Sequence, residues 1–108
     1  MANTFKLKTK ANVGVTTVGI YTAPAATTTV VIGITMANTS GSGVNVGVGI
    51  TRAGTTEDVK LLKNAPIPSG SSLEFMSGNK IVLEATDTVT VDSDTNNSVD
   101  AALTIMEI

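Results

Sequence analysis

Apolar and polar residues alternate with period two along most of the chain, and many apolar members are β-branched, a combination that suits a pleated, half-buried strand better than a helix. The run from Val44 is cleanest: Val44, Val46, Val48 and Ile50 point one way, and Asn45, Gly47, Gly49 and Thr51 the other. Its glycine face permits a close backbone approach or a bulge. Near the end of the chain, Val99, Ala101, Leu103 and Ile105 share one face of a strand expected over Ser98 to Ile108. Phe5 and Leu7 alternate with Lys6 and Lys8, which predicts a first strand with one solvated lysine face. From Val30, the period places Val30, Ile32, Ile34 and Met36 on one face and Val31, Gly33, Thr35 and Ala37 on the other, a strand covered on both sides.

The remaining segments are shorter. EDVKLLKNA from Glu57 has the length of a helical turn but no capping signal, so it is read as an irregular strand. After Pro68, short strands are expected near Ser72 to Met76, Lys80 to Glu84 and Thr88 to Asp92, separated by turn residues. With VGVTTVGIYT from Val13, the total is roughly eight or nine strands at regular turn spacing, the signature of an all-β antiparallel sandwich or barrel. A jelly roll uses about eight strands most naturally. Each buried Val, Ile or Leu contributes on the order of 1.5 to 3 kcal/mol, which offsets chain entropy only if two sheets face each other. A single open sheet would leave one apolar face wet.

Composition narrows the function classes. The 108 residues fit a single compact domain spanning 1–108. Hydrophobic residues make up 42% of the chain and aromatic residues 3%, so the core must be aliphatic; Tyr21, Phe5 and Phe75 are the only rings. A net charge of -2 gives no cationic surface for a nucleic-acid backbone, so no nucleic-acid partner is expected. Zero Cys excludes disulfides and thiolate metal sites, and zero His removes the commonest metal ligand and acid-base residue. MANTFKLKTK has no uninterrupted apolar run after its charges, so it does not read as a secretory signal. The longest apolar stretch, Val30 to Ala37, falls far short of the roughly 20 residues that cross a bilayer, and a soluble chain without a membrane partner is expected.

Several short sequences look like chemistry. PIPSGSSLEFMSGNK places Gly70 ahead of Gly78-Asn79-Lys80, but a phosphate loop needs Gly-Lys-Ser/Thr at fixed spacing opening a helix, and here Asn79 interrupts and a strand follows. A hairpin turn at Gly78-Asn79 is the simpler reading. Ser69, Ser71 and Ser72 have no His base to activate them. Gly41-Ser42-Gly43 with Gly47 and Gly49 runs straight into the Val44 strand, unlike a dinucleotide fingerprint, and reads as a loop. Met-Ala-Asn-Thr at Met1 and again at Met36 has unlike flanks and is read as coincidence.

Acidic residues supply the sharpest candidate. In DSDTNNSVD, Asp92, Asp94 and Asn96 match the first, third and fifth positions of a calcium loop and Asp100 the ninth. However, Asn97 replaces the turn glycine, Leu103 occupies the bidentate glutamate position, and the flanks are strands. The reading is an acidic hairpin loop with Asn97 left-handed, a calcium site of another kind being the alternative. Glu57, Asp58, Glu74, Glu84 and Asp87 are available for a glycosidase pair, but nothing in the sequence pairs them and aromatic walls are missing. No catalytic, cofactor or metal residue is assigned, and an enzyme is not expected. Lys6, Lys8 and Lys10 are read as protection of a sheet edge against mispairing, with docking onto an acidic partner as the alternative.

Three segments, YTAPAATTTVVIGITMANTS from Tyr21, IPSGSSLEFMSGNKIVLEATDTVTV from Ile67 and SVDAALTIMEI from Ser98, together resemble a family of small virion structural proteins of tailed bacteriophages, of the marine and cyanobacterial phage type. The family pattern has Glu-Ala-Gly-Asp where this chain has Glu84-Ala85-Thr86-Asp87. The resemblance carries no catalytic residues. It implies a capsid decoration or cement protein, assembled into the virion in the host cytoplasm and bound through sheet edges and loops to the major capsid protein or to neck or tail proteins. It also implies a homo-oligomer. A neck, tail or fibre component, or a receptor- or carbohydrate-binding module, is the alternative.

Overall fold

The computed structural model describes residues 3–54, 57–74, 76 and 80–108. The Gly78-Asn79 turn and Phe75 lie outside the described residues. The chain folds as an all-β sandwich of β1 (Thr4–Val13), β2 (Val18–Thr22), β3 (Thr29–Asn38), β4 (Val44–Arg52), β5 (Glu57–Ile67), β6 (Ser72–Glu74), β7 (Ile81–Leu83), β8 (Thr88–Ser93) and β9 (Val99–Glu107). One sheet, here sheet A, has the order β1-β9-β3-β6, with β7 also on β3; sheet B has the order β2-β8-β4-β5. Every pairing is antiparallel. Because β6 and β7 pair with successive stretches of β3, they act as two halves of one broken strand, and the wrapping is that of an eight-position jelly roll.

The clean alternations bury the faces expected of them. Val44, Val46, Val48 and Ile50 from sheet B meet Val99, Ala101, Leu103 and Ile105 from sheet A in the core, joined by Val89 and Val91 of β8 and Ile34 and Met36 of β3. Segment 57–67 is strand, as read, and it carries Pro66 because β5 is an edge strand, where a missing N–H costs no ladder bond.

Two expected faces are corrected. In β3 the register shifts between Val31 and Gly33, so the core residues are Val31, Ile34 and Met36, while Val30 belongs to the outer face. A bulge at Ile32 adds one residue, and with a period of two one residue exchanges the faces. In β1 the partners of Lys6, Lys8 and Lys10 are Ile105, Leu103 and Ala101, which all face the core. The lysines therefore take the inner side of the edge strand, and Phe5 and Leu7 point outward, 69% and 64% exposed. Inward-pointing charges at an edge let apolar stems lie along the core rim while the ammonium groups reach water.

Glycine matters at two kinds of place. A Cβ on Gly49 would lie 2.9 Å from the Val59 carbonyl oxygen, so the bulged β4–β5 pairing requires its absence. Three turns share an i to i+3 backbone bond and a positive φ at the third residue, the pattern of a type II turn: Pro24–Thr27 at Ala26, Pro68–Ser71 at Gly70 and Glu84–Asp87 at Thr86. Only the middle one places glycine there. Thr86, at φ 70, is β-branched in a region that disfavours any Cβ.

We expect Thr86→Gly to stabilise the fold by about 0.5–1 kcal/mol, since relief of strain exceeds the added unfolded-state freedom. Gly49→Ala should destabilise it by about 1–3 kcal/mol, because β5 must move off β4. Urea denaturation of the two variants checks both signs.

Candidate functional site

The polar side chains gather in four places, and each has a structural partner set. The first is the 92–100 loop between β8 and β9. Asp92 pairs with Gly47 on the outer face of sheet B, accepts a bond from Thr17 Oγ1 at 3.0 Å and lies 4.0 Å from Lys60 Nζ. Asp94 exchanges bonds with Asn45, its Oδ1 accepting from the Asn45 N–H and its own N–H donating to the Asn45 carbonyl, both at 3.0 Å. Asn96 Oδ1 accepts from the Val15 N–H at 3.5 Å. Asp100 pairs with Ala37 on the outer face of sheet A, and its Oδ1 accepts from the N–H of Asn12, which is left-handed at φ 58. The alternative, a calcium site drawing on Asp92 and Asp100 together, is not assembled by this placement, since the two project from opposite outer faces of the sandwich. Asn97 is left-handed at φ 51, as the turn reading requires.

Beneath this loop, Ser98 Oγ donates to the Thr95 carbonyl at 2.6 Å and lies 2.7 Å from Ser93 Oγ, which accepts from the Thr95 N–H. With its own proton committed to Thr95, Ser98 must accept the proton of Ser93.

The second place is Asn38, the last residue of β3 and 3% exposed. Its Nδ2 donates to the carbonyls of Ser42 and Ile67 at 2.8 and 2.9 Å, and its Oδ1 accepts from the N–H and Oγ of Ser40 at 2.9 and 2.8 Å. The Pro68–Ser71 turn is sewn onto the same knot: the Asn38 N–H donates to the Ser71 carbonyl, and Ser69 Oγ donates to the Ser40 carbonyl. Of the serines weighed as nucleophiles, Ser69 thus fastens the loop through its hydroxyl and Ser71 through its backbone carbonyl. Asn38 was not singled out by sequence reasoning; the Thr-Ser-Gly-Ser-Gly cluster after it marks a turn but not which side chain organises it.

The third is a cleft of about 320 Å³ beside β4, β5 and β7, lined by Ile50, Val59 and Val82 with Arg52, Glu57, Glu84 and Asp87. Of the five acids weighed as a catalytic pair, Glu57, Glu84 and Asp87 meet here; Asp58 lies on the outer face of sheet B and Glu74 on that of sheet A. Asp87, 4% exposed, accepts from Arg52 Nε at 3.3 Å and from the Glu84 N–H at 2.9 Å, and Arg52 Nη2 bonds Glu84 at 2.6 Å. The hydrogen bond and charge of Asp87, then the charge of Glu84, hold the Arg52 proton more tightly than usual. This arrangement closes the Glu84–Asp87 turn.

The fourth links the sheets. Tyr21, on β2, sends its hydroxyl across the sandwich to Thr29 Oγ1 at 2.8 Å and Glu107 Oε2 at 2.6 Å, and Glu107 is paired with Lys6 Nζ at 2.9 Å. Burial, reinforced by the Glu107 bond, pushes the Tyr21 hydroxyl up to about 12. The bonds from Tyr21 and then Lys6 hold the Glu107 carboxyl below its ordinary value. No local sequence signal marks this network, whose members span the whole chain. Among the described residues, no buried side-chain nitrogen or oxygen lacks a hydrogen-bond partner.

No family model matches the chain, and no curated protein sequence matches it. Solved structures share its fold. A chain of the infectious bursal disease virus VP2 subviral particle superposes with a TM-score of 0.61 at 13% identity, covering 98% of this chain and 32% of that one. A chain of the T13 IBDV viral particle gives 0.57 at 14%, covering 98% and 31%. A chain from Bacillus endospore appendages, a family of disulfide-linked pili, gives 0.54 at 17%, covering 97% and 85%. The chain thus spans about a third of the length of the viral chains and most of the appendage chain. At such identities the likeness establishes the fold alone, a jelly-roll-like β-sandwich.

Asn38→Ala should cost about 2–4 kcal/mol, because the Ser42 and Ile67 carbonyls and the Ser40 N–H lose buried partners together. Tyr21 yields a pH test. Its pKa is raised on folding, so its contribution is complete below the unfolded value near 10 and is lost as pH rises towards 12. Between pH 9 and 12 the wild type should lose about 2–3 kcal/mol more stability than Tyr21→Phe, a difference read by paired urea melts across that range.

Proposed function

We propose that this chain is a non-enzymatic structural protein of a tailed-phage particle, most concretely a decoration or cement protein on the capsid. The observation that carries the reading is the jelly-roll-like fold, which superposes on chains of virus particles. The phage-like segments support it: they contribute β3, β6, β7 and β9, all of sheet A but β1, and most of β8 in sheet B. At the departure from the family pattern, Thr86 keeps the positive φ that glycine would favour. The four polar clusters support a structural role, since each has its donors and acceptors engaged in holding turns and sheets.

The shared fold alone also fits a filament subunit like the endospore appendage. Disulfide linkage, however, is closed to a chain without cysteine. A glycan-binding module fits less well: Tyr21 is buried and bonded, which leaves Phe5 as the exposed ring among the described residues.

Mass spectrometry of purified particles should find the protein in the virion, and immunogold labelling should mark the head. Absence from the particle refutes the proposal. Label confined to neck, tail or fibre transfers the role there, and a positive glycan array would favour the receptor-binding alternative.

A further inference from the structure

The two outer faces of the sandwich differ in chemistry. On sheet B the outward residues of the two central strands and β5 include Thr51, Asp58, Lys60, Thr88, Thr90 and Asp92, a hydroxyl and charge surface of the ordinary solvated kind. On sheet A, one row of cross-strand partners reads Phe5, Met106, Val30, Val82 from edge to edge, with Val82 59% exposed and Leu7 standing beside Phe5. On the strands of this face the charges are Asp100, pinned to the Asn12 N–H, and Glu74, which accepts from Thr35; Lys80 stands two residues before Val82, and Val82 also borders the cleft that holds Arg52, Glu57, Glu84 and Asp87. All three β1 lysines point to the other side.

Apolar side chains in a continuous band of this kind mark a surface that is covered in the working assembly. The occupant can be read from the face itself. Two to four residues beyond Leu7–Thr104 along β9, the surface sinks into a groove of about 340 Å³ formed by Thr9, Ala11, Thr35, Ala37, Ala101 and Ala102, with Lys10 and Asp100 also in its lining. Large side chains at one end and small ones at the other make knobs and a hole on a single surface. A two-fold axis lying between two such faces and running across the strands midway between the Leu7–Thr104 and Thr9–Ala102 pairs lays Leu7 of each copy over Thr9 of the other and Phe5 over Ala11, at the groove. A second copy therefore supplies what the first lacks, which is the definition of a self-complementary, isologous contact.

The area agrees. Four strand positions at about 4.8 Å and nine residues at about 3.4 Å give a plan of on the order of 600 Å², which side-chain relief brings to the roughly 800 Å² per partner of a stable interface. The whole face is needed for this; of its acids, Asp100 lies in the groove lining with Oδ1 held by the Asn12 N–H, and Glu74 lies on β6.

We propose that the outer face of sheet A is a homodimer interface, with Phe5 and Leu7 of each copy seated in the Ala37–Ala102 groove of the other. This stands on the face alone and holds whether or not the protein belongs to a phage particle. The self-contact it places on a sheet face is separate from the sheet edges and loops through which the resemblance implies binding to other particle proteins.

Sedimentation velocity of the full chain at about 100 μM should show twice the 11.0 kDa chain mass, or a larger species built from such pairs. Ala102→Arg and Leu7→Asp each bury an unpaired charge in the contact and should weaken it about a hundredfold or more, with an unchanged circular dichroism spectrum. Because the chain has no cysteine of its own, Thr104→Cys offers a readout that leaves the groove intact. Near the axis it should cross-link two copies under mild oxidation, while Thr90→Cys, on the outer face of sheet B, should not. A monomeric wild type, an oligomer that survives both charge substitutions, or equal cross-linking by the two cysteine variants overturns the proposal.

Discussion

Sheet A is held together by β9, the last strand of the chain, which enters between β1 and β3 and is hydrogen-bonded to both along nearly its whole length. β1 has no other strand partner, so without β9 it has no place in the sheet. The inner residues of β9, Val99, Ala101, Leu103 and Ile105, are at most 3% exposed and complete the aliphatic layer that β4 and β8 face. The first and last strands thus meet only when the intervening chain has been placed. Stability of this kind is non-local: loop-closure entropy must be overcome before the contacts that reward it exist.

A core without Trp and with a single buried Tyr is thin, and its ends would admit water if apolar packing were the only closure. Polar groups complete it. Tyr21 spans the sheets at one place, its ring in the core and its hydroxyl on Thr29 and Glu107, so that one side chain joins β2, β3 and β9. Asn38 uses both ends of its amide to hold the loop after β3 against the end of β5. Buried hydrogen bonds add modest net stability each, yet leaving one partner unmet is costly, so these residues select one arrangement of the loops more than they add to its depth.

The same economy explains why the chemical motifs dissolve into architecture. Asp87, Asp94, Asp100, Ser69 and Ser98, which could suggest ion or substrate binding, cap N–H groups, fasten turns or brace Arg52. What the fold leaves unspent is the outer face of sheet A. For a protein proposed to work by assembly, a flat apolar face on one side and a hydrated one on the other give two surfaces with different tasks.

Period-two alternation is a local property, and it made the strands and most of the core legible: the inner faces of β4 and β9, the turn at Asn97 and the strand character of β5 follow from residue type alone. Local pattern could not tell how the strands pair. Phe5 and Leu7 read as the buried side of β1, yet the partner register on β9 sends them outward and the lysines inward, because side chains opposite one another in a ladder must share a face. The bulge at Ile32 reversed faces in β3 for the same reason. The polar clusters were equally out of reach, since Tyr21, Glu107 and Lys6, or Asp92 and Asp100, are brought together or held apart only by the order of strands. Sequence by itself determined that this chain is an aliphatic all-β sandwich with neither His nor Cys; tertiary structure decided which residues face the core, which face each other and which stand on the outer faces, because those are matters of register and not of composition.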